Sequence, residues 1–132
     1  MSLPELNFFD IDAKIDTGAD NSSIHCDDIR LNDDGTVHFK LLDELHPDYC
    51  KKHIKMPVSK IKKVKSSNGK TEERIFIETI IELSGQQYTA ELSLTDRQNM
   101  KYPMLIGRKY LQGRFLVDVS LQYHYNKNKK VN

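Results

Sequence analysis

No stretch of the 132 residues approaches the run of ~20 apolar residues that a membrane-spanning helix requires. The opening MSLPELNFFD has neither a basic head nor an apolar stretch, so no secretory signal is visible. A cytoplasmic location is the expectation, with a removed leader left open. Only two cysteines are present, Cys26 and Cys50, too few for a disulfide framework; free thiols in a reducing compartment follow. Neither sign of charge dominates. With 20 Lys and Arg against 19 Asp and Glu, the net charge of +1 supplies no global field that would draw the chain to nucleic acid or an acidic membrane. No internal repeat and no low-complexity segment is evident.

What remains is an ordinary globular composition, 38% hydrophobic and 30% charged, in a length that suits one core. A single domain over residues 8–125 is expected, with flexible termini at 1–7 and 126–132. Strand signals dominate. DAKID (12–16) alternates and runs into Thr17-Gly18. IRL (29–31) and TVHFKLL (36–42) flank Asn32-Asp33-Asp34-Gly35, a turn in which Gly supplies positive φ and Asp or Asn bonds its own backbone. Val37, Phe39 and Leu41 then share a face. HPDYCKKH (46–53) is polar and contains Pro47, so it reads as a loop or one helical turn.

A longer hairpin follows, PVSKIKKVK (57–65) and TEERIFIETIIEL (71–83), joined through Ser66, Ser67, Asn68 and Gly69. Its polar flanks predict an arm that projects from the body. YTAELSL (88–94) alternates again, PMLIG (103–107) is a buried-strand run, RKYLQG (108–113) suits a short helix, and FLVDV (115–119) suits a final strand. Seven or eight short strands with almost no helix predict an all-β chain, a small closed or partly closed barrel.

The chemistry-bearing stretch is KIDTGADNSS (14–23). An Asp-Thr-Gly alone is a common turn. Here it ends an alternating strand, so a rigid element aims Asp16. It extends to Asp-Thr-Gly-Ala-Asp, and about ninety residues later MLIGRKYL (104–111) brings an apolar strand ending in Gly107-Arg108. This order of parts, with a hairpin between, resembles the retropepsin-like aspartic proteases over roughly residues 10–119. It looks closest to the bacterial family labelled "ATP-dependent zinc protease". The residues support neither half of that label. There is no Gly-x-x-x-x-Gly-Lys-Ser/Thr loop for a nucleotide and no His-Glu-x-x-His for zinc, so no cofactor is expected. His46, Cys50 and His53 stand at ligand-like spacings, and surface histidines with a buried thiol are the alternative reading.

The resemblance implies aspartic proteolysis, in which two carboxylates share one proton across a water. The chain holds one Asp-Thr-Gly; Asp10, Asp12, Asp20 and Asp118 lack the following Thr/Ser-Gly. A two-fold homodimer would set Asp16 against its own copy. By the same resemblance Thr17 would lock the paired loops, Gly18 would let its amide approach the carboxylates, and Asp20 with Arg108 would form a partly buried ion pair bracing the loop. Ala19 cannot donate a hydrogen bond to the carboxylate as a serine there would, which implies an optimum at about pH 5–7. Val64, Ser66, Ser67, Asn68 and Gly69 would form the flap over a peptide, and the basic KIKKVK arm would favour acidic or glutamate-rich peptides. Neither nucleic acid nor membrane is expected as a partner. Two rival readings stay open: the same fold as an inactive binding or scaffolding module, and a small metal-binding protein built on His46, Cys50 and His53.

Overall fold

The computed structural model describes residues 1–42, 49, 52–65, 69–96 and 102–121, with backbone alone at 64 and 65. Among the described residues eight strands run in chain order: β1 (Ala13–Ile15), β2 (Ser22–Leu31), β3 (Thr36–Leu41), β4 (Ile54–Pro57), β5 (Lys60–Lys65), β6 (Thr71–Leu83), β7 (Gln86–Thr95) and β8 (Met104–Ile106). One short helix, α1 (Arg108–Leu111), follows β8. The strands hydrogen-bond in the order β1-β8-β2-β7-β6-β5, and β2 also pairs β3, which pairs β4. The path has two ends, so among the described residues the sheet is open, not closed. No helix there is long and apolar enough to cross a membrane.

Period-two alternation explains the core. In β3, Val37, Phe39 and Leu41 are buried while their neighbours are not, as the pattern predicts. They pack with Ile24, Ile77, Leu92, Met104 and Ile106. Each such burial contributes roughly 1.5–3 kcal/mol. The β6–β7 turn has only Ser84 and Gly85 between the paired Leu83 and Gln86, and both have positive φ, 56° and 74°. Two left-handed residues match the twist of an antiparallel pair, which makes this the tightest hairpin among the described residues.

Four expectations need correcting. The run 57–65 is two strands, because β4 stops at Pro57, which has no amide to continue a ladder. β2 begins seven residues before the predicted IRL; its polar Ser22, Ser23, His25 and Asp27 hide the strand, yet pairing with β7 and β8 imposes it. Residues 115–118 form no strand, since no described edge pairs with them, although their alternation suits one. The first seven residues are not loose: Leu3 is fully buried, Ser2 bridges Glu82, and the Met1 amino group donates to the Ile11 carbonyl at 3.1 Å. The stretches 126–132 and 66–68, most of 46–51 and all of 97–101 lie outside the described residues.

Candidate active site

β1 and β8 run parallel, with Ile15 opposite Ile106. Asp16 follows immediately, its amide donating to the Ile106 carbonyl at 2.9 Å. The strand pair therefore fixes the backbone from which the carboxylate projects. The Gly18 amide donates to Asp16 Oδ1 at 3.0 Å, and the Ala19 amide to the Asp16 carbonyl at 3.2 Å. A Cβ at residue 18 would stand 3.3 Å from Asp16 Oδ1, so glycine lets the donating amide come this close. Asp16 is half-buried, while Thr17 and Gly18 are exposed.

The rest of the loop is sewn to the start of α1. The Arg108 amide donates to the Ala19 carbonyl (2.8 Å), the Lys109 amide to the Asp20 carbonyl (3.0 Å), and the buried Gly107 amide to Ser22 Oγ (3.1 Å). Asp20 and Arg108 make an ion pair, as the family resemblance implied. It is not buried in the single chain, where the two side chains are 62% and 55% exposed, because both reach outward from the loop's rim. The Arg108 guanidinium, by hydrogen bond and charge, holds the Asp20 carboxyl below its ordinary value of 3.8, with Lys109 and Lys62 adding to the effect. A depressed carboxylate stabilises the fold fully above its unfolded value and loses that contribution as pH falls through the folded one. Asp20→Asn is therefore expected to lower the thermal midpoint slightly at pH 7. The difference from wild type should shrink as the pH falls below 3.8 and the carboxyl takes up its proton, as thermal melts across pH would show.

The structure brings Asp16, Thr17, Gly18, Ala19, Asp20, Gly107 and Arg108 into one cluster. Of the residues expected to form a flap, Gly69 is exposed with φ 82° and Val64 is described by its backbone alone; Ser66, Ser67 and Asn68 lie outside the described residues. Sequence reasoning did not find Ser22, whose hydroxyl anchors Gly107, because a serine after a turn carries no signal of its own. Of the candidate metal ligands, His46 and Cys50 are outside the described residues. His53 Nε2 lies 2.7 Å from Asp28 Oδ2, and the contact lowers the Asp28 carboxyl's pKa. No three His, Cys, Asp or Glu side chains among the described residues are grouped to hold a metal. Burial raises the pKa of the Cys26 thiol, which keeps it protonated.

A parallel β1–β8 pair that aims an Asp-Thr-Gly loop, with a Gly-Arg turn locked behind it, defines a retropepsin-like protein. The chain belongs to the RimB-like family, described as "Retropepsin-like aspartic endopeptidase RimB", whose profile matches residues 1–128. Among curated proteins it is 39% identical over 124 residues to a probable alpha-L-glutamate ligase of Shewanella pealeana. It is also 34% identical over 128 residues to one of Desulfotalea psychrophila. These matches cover 90% and 92% of this chain but 27% of each relative, so the chain spans about a quarter of the proteins it matches. A solved Legionella pneumophila protein of unknown function superposes with a TM-score of 0.60 at 25% identity, over 81% of this chain and 77% of that one.

Proposed function

We propose that the chain is an aspartic-type peptidase acting as a homodimer, with two copies of Asp16 facing each other across a two-fold axis. The observation that carries this reading is the Asp16 loop itself: a strand-end carboxylate oriented by the Gly18 amide, in a member of a family of retropepsin-like endopeptidases. One Asp16 is ionised and the other holds the proton, because two adjacent like charges cannot both ionise readily. The ionised carboxylate takes a proton from water as the water oxygen bonds to the scissile carbonyl carbon. The protonated one gives its proton to the carbonyl oxygen, leaving a neutral gem-diol. The dyad then protonates the amide nitrogen, the C–N bond breaks, and a diol hydroxyl returns its proton to the dyad. The products are a carboxylic acid and an amine, and the dyad again holds one proton.

The dimer reading has support in the apolar surface near β1. Leu116 and Val119 are fully exposed, and Phe9, Val117 and Leu121 roughly half so. Beside them a groove of about 300 Å³ is lined by Ala13 and Ile15 of β1 and by Leu116, Val117 and Leu121. A second copy seated there would lie on the strand that carries Asp16. The preferred substrates are acidic or glutamate-rich peptides. β5 presents the exposed Lys62, and the domain's relatives are named for joining glutamate.

Leu116→Asp tests the assembly without threatening the fold, since this side chain makes no core contact in the single chain. Losing two buried leucines per dimer should weaken self-association roughly a hundredfold. Sedimentation at micromolar concentration should then show a monomer, and peptide hydrolysis per chain should fall in parallel. Full hydrolysis by a monomer would overturn the shared-dyad reading. A dimer that hydrolyses no peptide would favour a binding module.

A further inference from the structure

We infer that Lys62 is the residue that selects an acidic side chain in the substrate, with Lys109 beside it. This rests on the peptidase reading above. The β5–β6 register pairs Lys60 with Phe76 and Lys62 with Arg74, so these four side chains share one face of the hairpin. Lys60 shows which face that is. Its Nζ stands 4.7 Å from the centre of the Phe76 ring and 3.4 Å from Glu91 Oε1 of β7, turned towards the body of the protein. Glu91 and Lys109 in turn line a cavity of about 270 Å³ with Asn21, the residue after Asp20 in the active loop. The hairpin face and the catalytic loop therefore border the same space.

The charges along this face do not balance. Lys60 is matched by Glu91, and Arg74 by Glu72, whose Oε1 lies 3.3 Å from Arg74 Nε. Lys62 has no ion-pair partner among the described residues, and it stands opposite Arg74, a like charge across the ladder, which costs stability. Asp20 is already held by Arg108. Lys109, whose amide donates to the Asp20 carbonyl at 3.0 Å, and Lys62 nevertheless both add to the lowering of the Asp20 carboxyl's pKa. Three cations thus act on one carboxylate of the loop that carries Asp16. A peptide carboxylate lying across the loop would restore balance and remove the Lys62–Arg74 repulsion. Lys63, one position along, points to the opposite face and is matched by Glu73 in the register, so it has no such role.

The experiment compares kcat/KM for a fluorogenic peptide of four glutamates around the cleaved bond with its four-glutamine counterpart at low salt. Lys62→Gln should lower the glutamate-to-glutamine ratio about fivefold, and Lys62→Glu roughly tenfold or more. Lys63→Gln removes the same charge from the other face and should leave the ratio at its wild-type value. A Lys62→Glu protein with the wild-type ratio, or a Lys63→Gln protein that loses as much as Lys62→Gln, overturns the assignment. A parallel arm separates this from the peptidase reading: binding of the labelled glutamate peptide to Asp16→Asn protein, read by fluorescence anisotropy. Lys62→Glu in that background should weaken binding by a similar factor, and unchanged binding overturns the role of Lys62. If wild type hydrolyses neither peptide, the peptidase reading fails while this arm still decides Lys62.

Discussion

Asp16→Asn is expected to abolish peptide hydrolysis while leaving the fold and the dimer intact. The asparagine side chain has the same shape, and its Oδ1 can still accept the Gly18 amide now 3.0 Å from Asp16 Oδ1. It cannot take up or hand over the shared proton. In a homodimer one substitution removes both halves of the dyad, so a loss of about three to four orders of magnitude in kcat is expected. Thermal midpoint and sedimentation should match wild type, which separates lost chemistry from lost structure. Mixing sharpens the test. When wild-type and Asp16→Asn chains exchange freely in equal amounts, only about a quarter of the dimers carry two native carboxylates. Activity should then fall to about a quarter of that of undiluted wild type, whereas a chain that works alone would retain half. Hydrolysis by Asp16→Asn at the wild-type rate would end the catalytic assignment.

Gly107→Ala is expected to produce the largest loss of stability of any glycine-to-alanine change in this chain. A Cβ there would meet the Asn21 carbonyl oxygen at 2.5 Å, its carbon at 2.6 Å and the Asp20 oxygen at 2.9 Å. These are backbone atoms with no rotamer to escape into, and the hydrogen bonds from residues 107–109 hold them in place. The strain must pass into the active loop or open the β8–α1 junction. About 3 kcal/mol of destabilisation is expected, which corresponds to a fall of roughly 10 °C in the thermal midpoint. Gly35→Ala is the control. Its φ is +81° but nothing lies within 4 Å of an added Cβ, so only the left-handed backbone cost of about 1 kcal/mol applies. Equal midpoints for the two variants would show that close approach is not what demands glycine at 107. Gly107→Ala protein that remains folded should also lose activity, because Asp16 shares the displaced loop.

The lysines of the hairpin show where sequence reading stops. KIKKVK is visibly basic, and a solvated edge or a substrate-facing arm explains it equally well. Only the register distinguishes Lys62, opposite Arg74 on the face it shares with Lys60, from Lys63, opposite Glu73 on the other face. The ion pair of Asp20 and Arg108 shows the same division. The motif implied the partners, while the exposure of the pair, higher than expected, depends on which way the loop's rim turns.

The order of residues alone determined the all-β character, the alternating core of β3, the hairpin turns and the Asp-Thr-Gly-Ala-Asp loop, while its distant Gly-Arg partner was implied by the family resemblance. Those features depend on near neighbours: a side-chain period of two, a glycine where φ is positive, a motif a few residues long. The tertiary structure alone decided the extent of β2, the anchoring of the first seven residues, the unpaired course of 115–118 and the steric need for Gly107. Each of these is set by segments far away in the chain, through an available ladder edge, a packed neighbour or a facing carbonyl. Local patterning carries no record of such encounters, because the free energy that selects them arises only once the chain has closed on itself.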